Sequence, residues 1–291
     1  MRVRAAQQNR ETLGVTGFHT SLVAADEGDQ GMGSLEYDEE ASRRLLAVYT
    51  TPDVAAQREV FSRALSPRVG ERILDIGSGP GFLTSILAEA VGSAGSITGV
   101  DISEPLNEAA RAHCSHQGWV TILHGDVTKL PLASAAVDAA ISTQVLEYVA
   151  NLDAAITEIF RVVRSGGRVA IVDTDWDSIV WHSSDQDRMN EILMAWEKHA
   201  SQPRLPRTLA GRLRRAGFSV EVQQVVPLFN PEFNQDTYSN RMIDLIVPFV
   251  IGHAGIPIEK ADAWAHDVRE SGKRGDYFFS LNRYLFVGTK P

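Results

Sequence analysis

The chain has 291 residues, of which 44% are hydrophobic and 22% charged, with a formal net charge of -9. That composition fits one large globular domain carrying insertions. The acidic balance excludes a phosphate backbone as a general partner, and the single cysteine, Cys114, excludes an internal disulfide and a Cys-rich metal centre.

Residues 1–33 are polar, contain glycine and show no period, so they read as a mobile N-terminal arm. Residues 1–30 hold no long apolar stretch, and no signal peptide is expected. No apolar run anywhere reaches the roughly 18 residues a spanning helix needs, so the protein is expected to be cytoplasmic, without stable membrane insertion. Residues 34–70 read as N-terminal helices covering the site. Leu45, Leu46, Val48 and Tyr49 cluster, and Val54, Phe61 and Leu65 follow Pro52. Proline suits a first helical turn, where its missing N–H would have no partner.

From Arg72 onward, short β-rich runs alternate with helical runs. Strands are expected at 72–76, 96–101, 120–125, 137–143 and 168–173, and helices at about 82–91 and 104–116. A further helix carries Ile156, Ile159, Phe160 and Val163 at i, i+3, i+4 and i+7, and is expected to stop at Gly166-Gly167. This alternation implies a parallel sheet with helices on both faces. The core then spans 71–174, is interrupted at 175–204, and continues over 205–228 with a helix ending at Gly217 and a strand. It is interrupted again at 229–277 and closes with a last strand in 278–291. The two interruptions, rich in tryptophan and other aromatics, are expected to form a helical lid over one end of the sheet.

The loop after the first strand reads Asp75-Ile-Gly77-Ser-Gly79-Pro-Gly81. Three alternate glycines let main chain lie close to a ligand. A nucleoside triphosphate needs a lysine further along and a loop rich in N–H donors; Pro80 removes a donor and no lysine follows. A dinucleotide loop needs its third glycine one residue later. Asp101, at the end of the second strand, suits a ribose with free hydroxyls whichever nucleotide is bound.

Taken with "GVDIS" (99–103), "HGDVTKLPL" (124–132) and the segment 137–173, this loop resembles motif I of the class I S-adenosylmethionine-dependent methyltransferases. The resemblance is best to the small-molecule enzymes around ubiquinone and menaquinone biosynthesis. It covers roughly residues 50–175 well and the rest loosely. It implies a Rossmann-like α/β fold, with a seven-stranded sheet whose last strand is antiparallel. It also implies S-adenosylmethionine as cofactor. On the motif positions, Asp75, Gly77, Ser78, Gly79 and Gly81 would lie along its methionine. Asp101 would take both ribose hydroxyls, and Ile102 would pack on the adenine. Asp126 and the Val127 N–H would meet the adenine edge, and Thr143 and Gln144 would lie near the methionine amine and the methyl. Without a ligand, Asp101 and Asp126 would still serve as helix caps at strand ends, and Asp75 would fix the loop by hydrogen bonds.

For chemistry, the candidate general bases are Tyr37, Glu147 and Tyr148 after the fourth strand, Asp173, Asp175 and Asp177 at the end of the fifth, and His182, with Tyr37, Asp175 and His182 preferred. The aspartates and His182 also have structural readings: Asp-Thr-Asp-Trp-Asp (173–177) makes a good turn, and His182 suits a polar lid surface. Glu147 follows the fourth strand and can be purely structural. No metal is expected. The lid aromatics suggest a flat aromatic or polycyclic acceptor. Within the resembling group this points to carbon methylation of a quinol or of an indole in a tryptophan-derived cyclic dipeptide, with oxygen or nitrogen methylation as alternatives. A binding protein that holds the cofactor without chemistry, as a regulator or partner subunit, is the alternative of another class. The apolar stretch 242–252 can line a pocket, fill a core, pack a homodimer or touch a membrane.

Overall fold

The computed structural model describes residues 39–291. The N-terminal arm and Tyr37 lie outside the described residues. Two helices come first, α1 (Glu39–Tyr49) and α2 (Pro52–Leu65), and Pro52 does stand at the start of α2. There follow β1 (Arg72–Ile76), α3 (Phe82–Val91), β2 (Ser96–Asp101), α4 (Glu104–His113), β3 (Val120–His124), β4 (Val137–Thr143), α5 (Leu152–Val162) and β5 (Val163–Thr174). The remainder is β6 (Val180–Trp181), α6 (Gln186–Trp196), α7 (Pro206–Ala216), β7 (Ser219–Asn230), α8 (Tyr238–Ala254), α9 (Ile258–Arg274) and β8 (Phe279–Thr289).

The main sheet has the order β3-β2-β1-β4-β5-β8, with β7 along the outer side of β8 and the short β6 beside the start of β8. Strands β1 to β5 are parallel, and β8 is antiparallel to both β5 and β7. The expected seven strands are therefore present, the last one antiparallel, and β6 is an addition. From β1 the chain winds outward to β2 and β3, then returns across β1 to β4 and β5. Strand order thus reverses between β1 and β4, and the crevice at their carboxyl ends is where such sheets bind ligands.

Each face of the sheet is covered because its strands are apolar on both sides. On one face α2 and α3 bring Phe61, Leu65, Leu83 and Leu87 against Ile73, Ile97, Ile141 and Val172. On the other, α5 and α7 bring Ile156, Ile159, Leu209 and Leu213 against Leu74, Ile76, Val169 and Phe286. A third core lies beyond the carboxyl end of β5. There α6, α8 and α9 pack with Val48, Trp176, Trp181 and the ends of β7 and β8, Leu228, Phe279 and Leu281. Met242, Ile243, Ile246, Phe249 and Val250 all point into this core, so the apolar stretch 242–252 fills the protein's own interior.

Two expected boundaries move for physical reasons. Helix α5 stops at Val162, not at the glycine pair, and β5 starts at once. The ladder to β4 jumps from Val137↔Val163 to Ala139↔Arg168, and residues 164–167 bulge out between. Gly167 serves that bulge: a Cβ there would meet Asp138 O at 2.8 Å and Val163 Cγ1 at 2.7 Å. Helix α4 ends at His113, three residues early, and Cys114 caps it in a turn.

Trp264 is fully buried at the centre of the third core, edge-on to Trp181 at 5.5 Å. Truncating it to alanine is expected to cost about 3–5 kcal/mol. Urea unfolding followed by far-ultraviolet circular dichroism checks this; a loss below about 1 kcal/mol would show that the cap is not part of the cooperative fold.

Candidate functional site

At the end of β1 the chain leaves the sheet through three glycines in left-handed conformation, with φ of +66° at Gly77, +51° at Gly79 and +83° at Gly81. Gly77 is required by close approach: a Cβ would lie 2.1 Å from Val145 Cγ2, at the start of the loop after β4. Gly79 differs, because nothing lies within 4 Å of where its Cβ would be. Its outer side is open. The Gly77 and Ser78 N–H groups donate to Val100 O at 2.7 and 3.2 Å, so the loop is pinned to β2. Below it, the Thr84 hydroxyl donates to Asp75 Oδ2 at 2.6 Å. Asp75 is buried, and burial pushes its carboxyl up to about 7. Its place is underneath the loop, tying β1 to the first turn of α3.

Asp101 is the junction of the site. Its Oδ2 accepts from the Gly79 N–H at 2.9 Å, and its Oδ1 accepts from the Ser103 N–H at 2.9 Å. Asn107 Nδ2 donates to its backbone carbonyl at 3.0 Å. Burial raises the Asp101 carboxyl, and the Ser103 and Gly79 N–H groups work against that rise. Each carboxylate oxygen has two lone pairs, so one acceptor position on each oxygen remains for two further donors. Beside it Ile102, though apolar, is 65% exposed. Asp126 caps the turn 127–129, its Oδ1 accepting from the Thr128 N–H at 2.7 Å and the Thr128 hydroxyl at 2.8 Å. Its Oδ2 accepts from none of the described residues, and Val127 is buried next to it. The local capping role and a free acceptor therefore coexist at both aspartates.

Thr143 ends β4, and Gln144 turns the chain with φ +57°, a strained conformation for a non-glycine residue. Its N–H donates to Val172 O at 2.7 Å. Its side chain is turned to β5, donating to Val172 O at 3.3 Å and accepting from the Thr174 hydroxyl. The glycine loop thus meets the β4 exit through Val145, while Gln144 braces β5.

Of the preferred bases, Asp175 and His182 do not gather there. Asp175 is held by Arg207, at 2.7 Å from Nε and 3.0 Å from Nη2, and also caps the turn 176–178. The guanidinium ties both of its oxygens to α7, and the cap on 176–178 fits the turn reading. His182 follows β6, which pairs Trp181 with Phe279. That is four residues along β8 from Arg283, the partner of Thr174 at the end of β5, or about 13 Å. Its ring is 44% exposed, with Nε2 3.9 Å from Asp276. It is a surface histidine.

A polar cluster sits at the β5 end, formed by two of the sequence's candidate bases, Glu147 and Asp173, with Arg283, which the sequence reading did not single out. Glu147 and Asp173 are both fully buried. Glu147 Oε2 accepts from the Thr174 N–H at 3.1 Å, and Asp173 Oδ1 accepts from the Val145 and Glu147 N–H groups at 3.2 and 3.3 Å. Among the described residues, Asp173 Oδ2 and Glu147 Oε1 have no close hydrogen-bond partner, though the Tyr148 and Trp176 side chains face Glu147 as donors. Burial pushes the Glu147 carboxyl up to about 7, against the N–H of Thr174 and the positive charge of Arg283. Asp173 is raised well above the usual range by burial and by Glu147. Arg283 could have been noticed: it occupies an inward position of β8, in register with Phe279, Leu281 and Leu285. Among the described residues, no three His, Cys, Asp or Glu groups are arranged to hold a metal ion, and no helix is long and apolar enough to cross a membrane.

This topology and loop have a counterpart among known proteins: residues 74–171 match the Methyltransferase domain family. The core is a class I S-adenosylmethionine-dependent methyltransferase domain. A 37.1 kDa protein of a Streptomyces fradiae transposon is 35% identical over 184 residues, covering 62% of this chain and 52% of that one. Demethylmenaquinone methyltransferase of Clavibacter sepedonicus is 27% identical over 184 residues, covering 56% and 71%. In three dimensions the chain is similar to phosphoethanolamine N-methyltransferase 2 of Haemonchus contortus, solved with S-adenosyl-L-methionine. The TM-score is 0.57 at 16% identity, over 88% of this chain and 58% of that one. The chain spans about half the length of the curated relatives it matches. S-adenosylmethionine is the cofactor of the domain.

Two buried carboxyls, Asp75 and Glu147, both rise to about 7 in the fold, from 3.8 and 4.5. Their raised values mean the native state holds their protons more tightly than the unfolded chain does. Stability from each is complete below about pH 4, falls by up to about 1.4 kcal/mol per pH unit between about 4 and 7, and is lost once pH has risen through 7. The unliganded protein is therefore expected to melt at lower temperature at pH 8 than at pH 6. Asp75→Asn, which keeps an acceptor for Thr84, should flatten that slope; an unchanged slope in a calorimetric scan would contradict it.

Proposed function

We propose that this chain transfers the methyl group of S-adenosylmethionine to a small aromatic or polycyclic acceptor, with a carbon atom of the acceptor as the nucleophile. The carrying observation is Asp101, which anchors the Gly79 loop and still presents one open acceptor position on each oxygen. A pair of adjacent ribose hydroxyls suits that geometry, since both can donate to one carboxylate. Ile102 supplies an apolar shelf for a flat base, and the free Asp126 Oδ2 an acceptor for its amino group. The open side of Gly79 admits the methionine portion, and the N-terminus of α3, capped by Gly81, carries partial positive charge for its carboxylate.

When bound, S-adenosylmethionine supplies a methyl group already activated on a sulfonium. The residues of this chain then have three tasks. The glycine loop and Asp101 fix one reactant. The β4 and β5 exits, at Gln144 and Thr174, border the place for the other. The helices α6, α8 and α9 form a lid that excludes water. Aromatic groups crowd that lid: Trp176 is edge-on to Trp196 at 5.9 Å, and Trp196 to Phe249 at 5.2 Å. These rings are packed on one another inside the third core, and the reading of a flat acceptor rests on their concentration beside the site rather than on a free face. We read the partner as a small molecule, since the charge of -9 disfavours nucleic acid.

Asp101→Ala is expected to weaken S-adenosylhomocysteine binding at least 10-fold by titration calorimetry, because charge-assisted hydrogen bonds contribute about 1.5–3 kcal/mol each. Affinity equal to that of the parent protein would remove Asp101 from the site. Incubation with a labelled methyl donor and a panel of quinols, indoles and matched alcohols and amines should label carbon in the aromatic compounds. Label appearing only on oxygen or nitrogen would overturn the carbon reading.

A further inference from the structure

A cavity of about 530 Å³ lies on the outer side of the lid, between α8 and α9, with Phe233 on one wall. On α8, Met242, Ile243, Ile246 and Val250 face the third core, so Arg241 and Asp244 stand on the opposite side of the helix. On α9, Trp264, Ala265 and Val268 face the same core, and Arg269 and Lys273 again point away from it. No residue of the glycine loop or of the β4 and β5 exits lines the cavity. It is separate from the crevice assigned to methyl transfer.

Arg241, Arg269 and Lys273 line this cleft against only two carboxylates, Asp244 and Glu270, in a chain whose net charge is -9. The three cations are neighbours. Arg241 and Asp244 are one turn apart on α8, Asp244 accepts from Arg269 Nη2 at 2.8 Å, and Lys273 is one turn beyond Arg269. Each cation uses a single nitrogen on an acid: Arg241 Nη2 lies 3.3 Å from Asp236, which is 75% exposed, and Lys273 Nζ lies 2.5 Å from Glu270. Among the described residues, Nε and Nη1 of both arginines make no hydrogen bond. Arg241 Nε is also shut off from solvent without a partner, which costs free energy. A ligand that drew this guanidinium into the cleft would relieve that cost.

We propose that this cleft binds a small phosphomonoester, with its phosphate between Arg241 and Arg269, Lys273 at the rim, and its organic body against Phe233. Two guanidinium forks arriving from two helices suit a tetrahedral dianion, whose oxygens lie in more than one plane. A carboxylate offers a single edge, which one fork fills. Asp244 and Glu270 remain on Arg269 and Lys273 and orient them. A phosphate alone would leave most of the 530 Å³ to water, at about 30 Å³ per molecule, so the ligand carries a body beyond its charge. Once bound, it would tie α8 to α9 from outside, in addition to the Asp244–Arg269 pair. The site stands whether or not the methyl-transfer reading does.

The test is titration calorimetry of the full chain with phenyl phosphate, inorganic phosphate, benzoate and phenol, in S-adenosylhomocysteine to keep the glycine loop occupied. Phenyl phosphate is expected to bind with a Kd below about 1 mM, about 10-fold or more tighter than benzoate or phenol, with inorganic phosphate between. Arg241→Met and Arg269→Met keep the apolar stems and should each weaken phenyl phosphate about 10-fold or more. Arg269→Lys keeps the charge without the fork and should recover only part of the loss. Arg111→Met removes an exposed arginine paired with Glu104 on α4 and should change nothing. Thermal unfolding checks the fold of each variant. No binding of phenyl phosphate, or benzoate binding equally well, would overturn the proposal. So would an affinity unchanged in both cleft variants, or one lowered as much by Arg111→Met.

Discussion

The site depends on one carboxylate. Asp101 receives the Gly79 N–H on one oxygen and the Ser103 N–H on the other, and its carbonyl receives Asn107. These bonds join the loop after β1, the end of β2 and the first turns of α4 into one unit. Glycines alone would make that loop permissive; Asp101 makes it definite. Burial of the carboxylate costs free energy, which the two N–H groups offset. Because each oxygen retains a lone pair, the same group that shapes the loop can also meet a ligand.

A second constraint acts at the carboxyl ends of β4 and β5. Val145 presses on Gly77, Gln144 is held in left-handed strain by Val172 and Thr174, and Glu147 and Asp173 are buried beneath. Strain and unsatisfied polar atoms concentrate at functional sites because the rest of the fold supports them there. The antiparallel β8 adds Arg283 to this group. The third core keeps the cluster buried by seating α8 over it, with Tyr238 against the guanidinium.

Much of this was legible in the sequence. Parallel strands buried on both faces are short apolar runs, and five of them were readable in order. The glycine spacing, Asp101 and Asp126 identified the loop's ligand class. The misreadings share a cause: each turned on pairing between distant segments. Gly166-Gly167 looked like a helix stop because its bulge arises only against β4. His182 looked close to the β5 exit because nothing local announces that β6 extends beyond it along β8. Nothing local to Asp175 announces Arg207, on α7, which binds both its oxygens. Glu147 and Arg283 lie far apart in the chain, and only the register of β5 with β8 brings them together.

A structure of the protein with S-adenosylhomocysteine tests the central claim most directly. Both ribose hydroxyls are expected on Asp101, the adenine on Ile102, and the sulfur directed toward the exits of β4 and β5 at Gln144 and Thr174. A ribose turned away from Asp101, or a sulfur facing away from the β5 end, would contradict it.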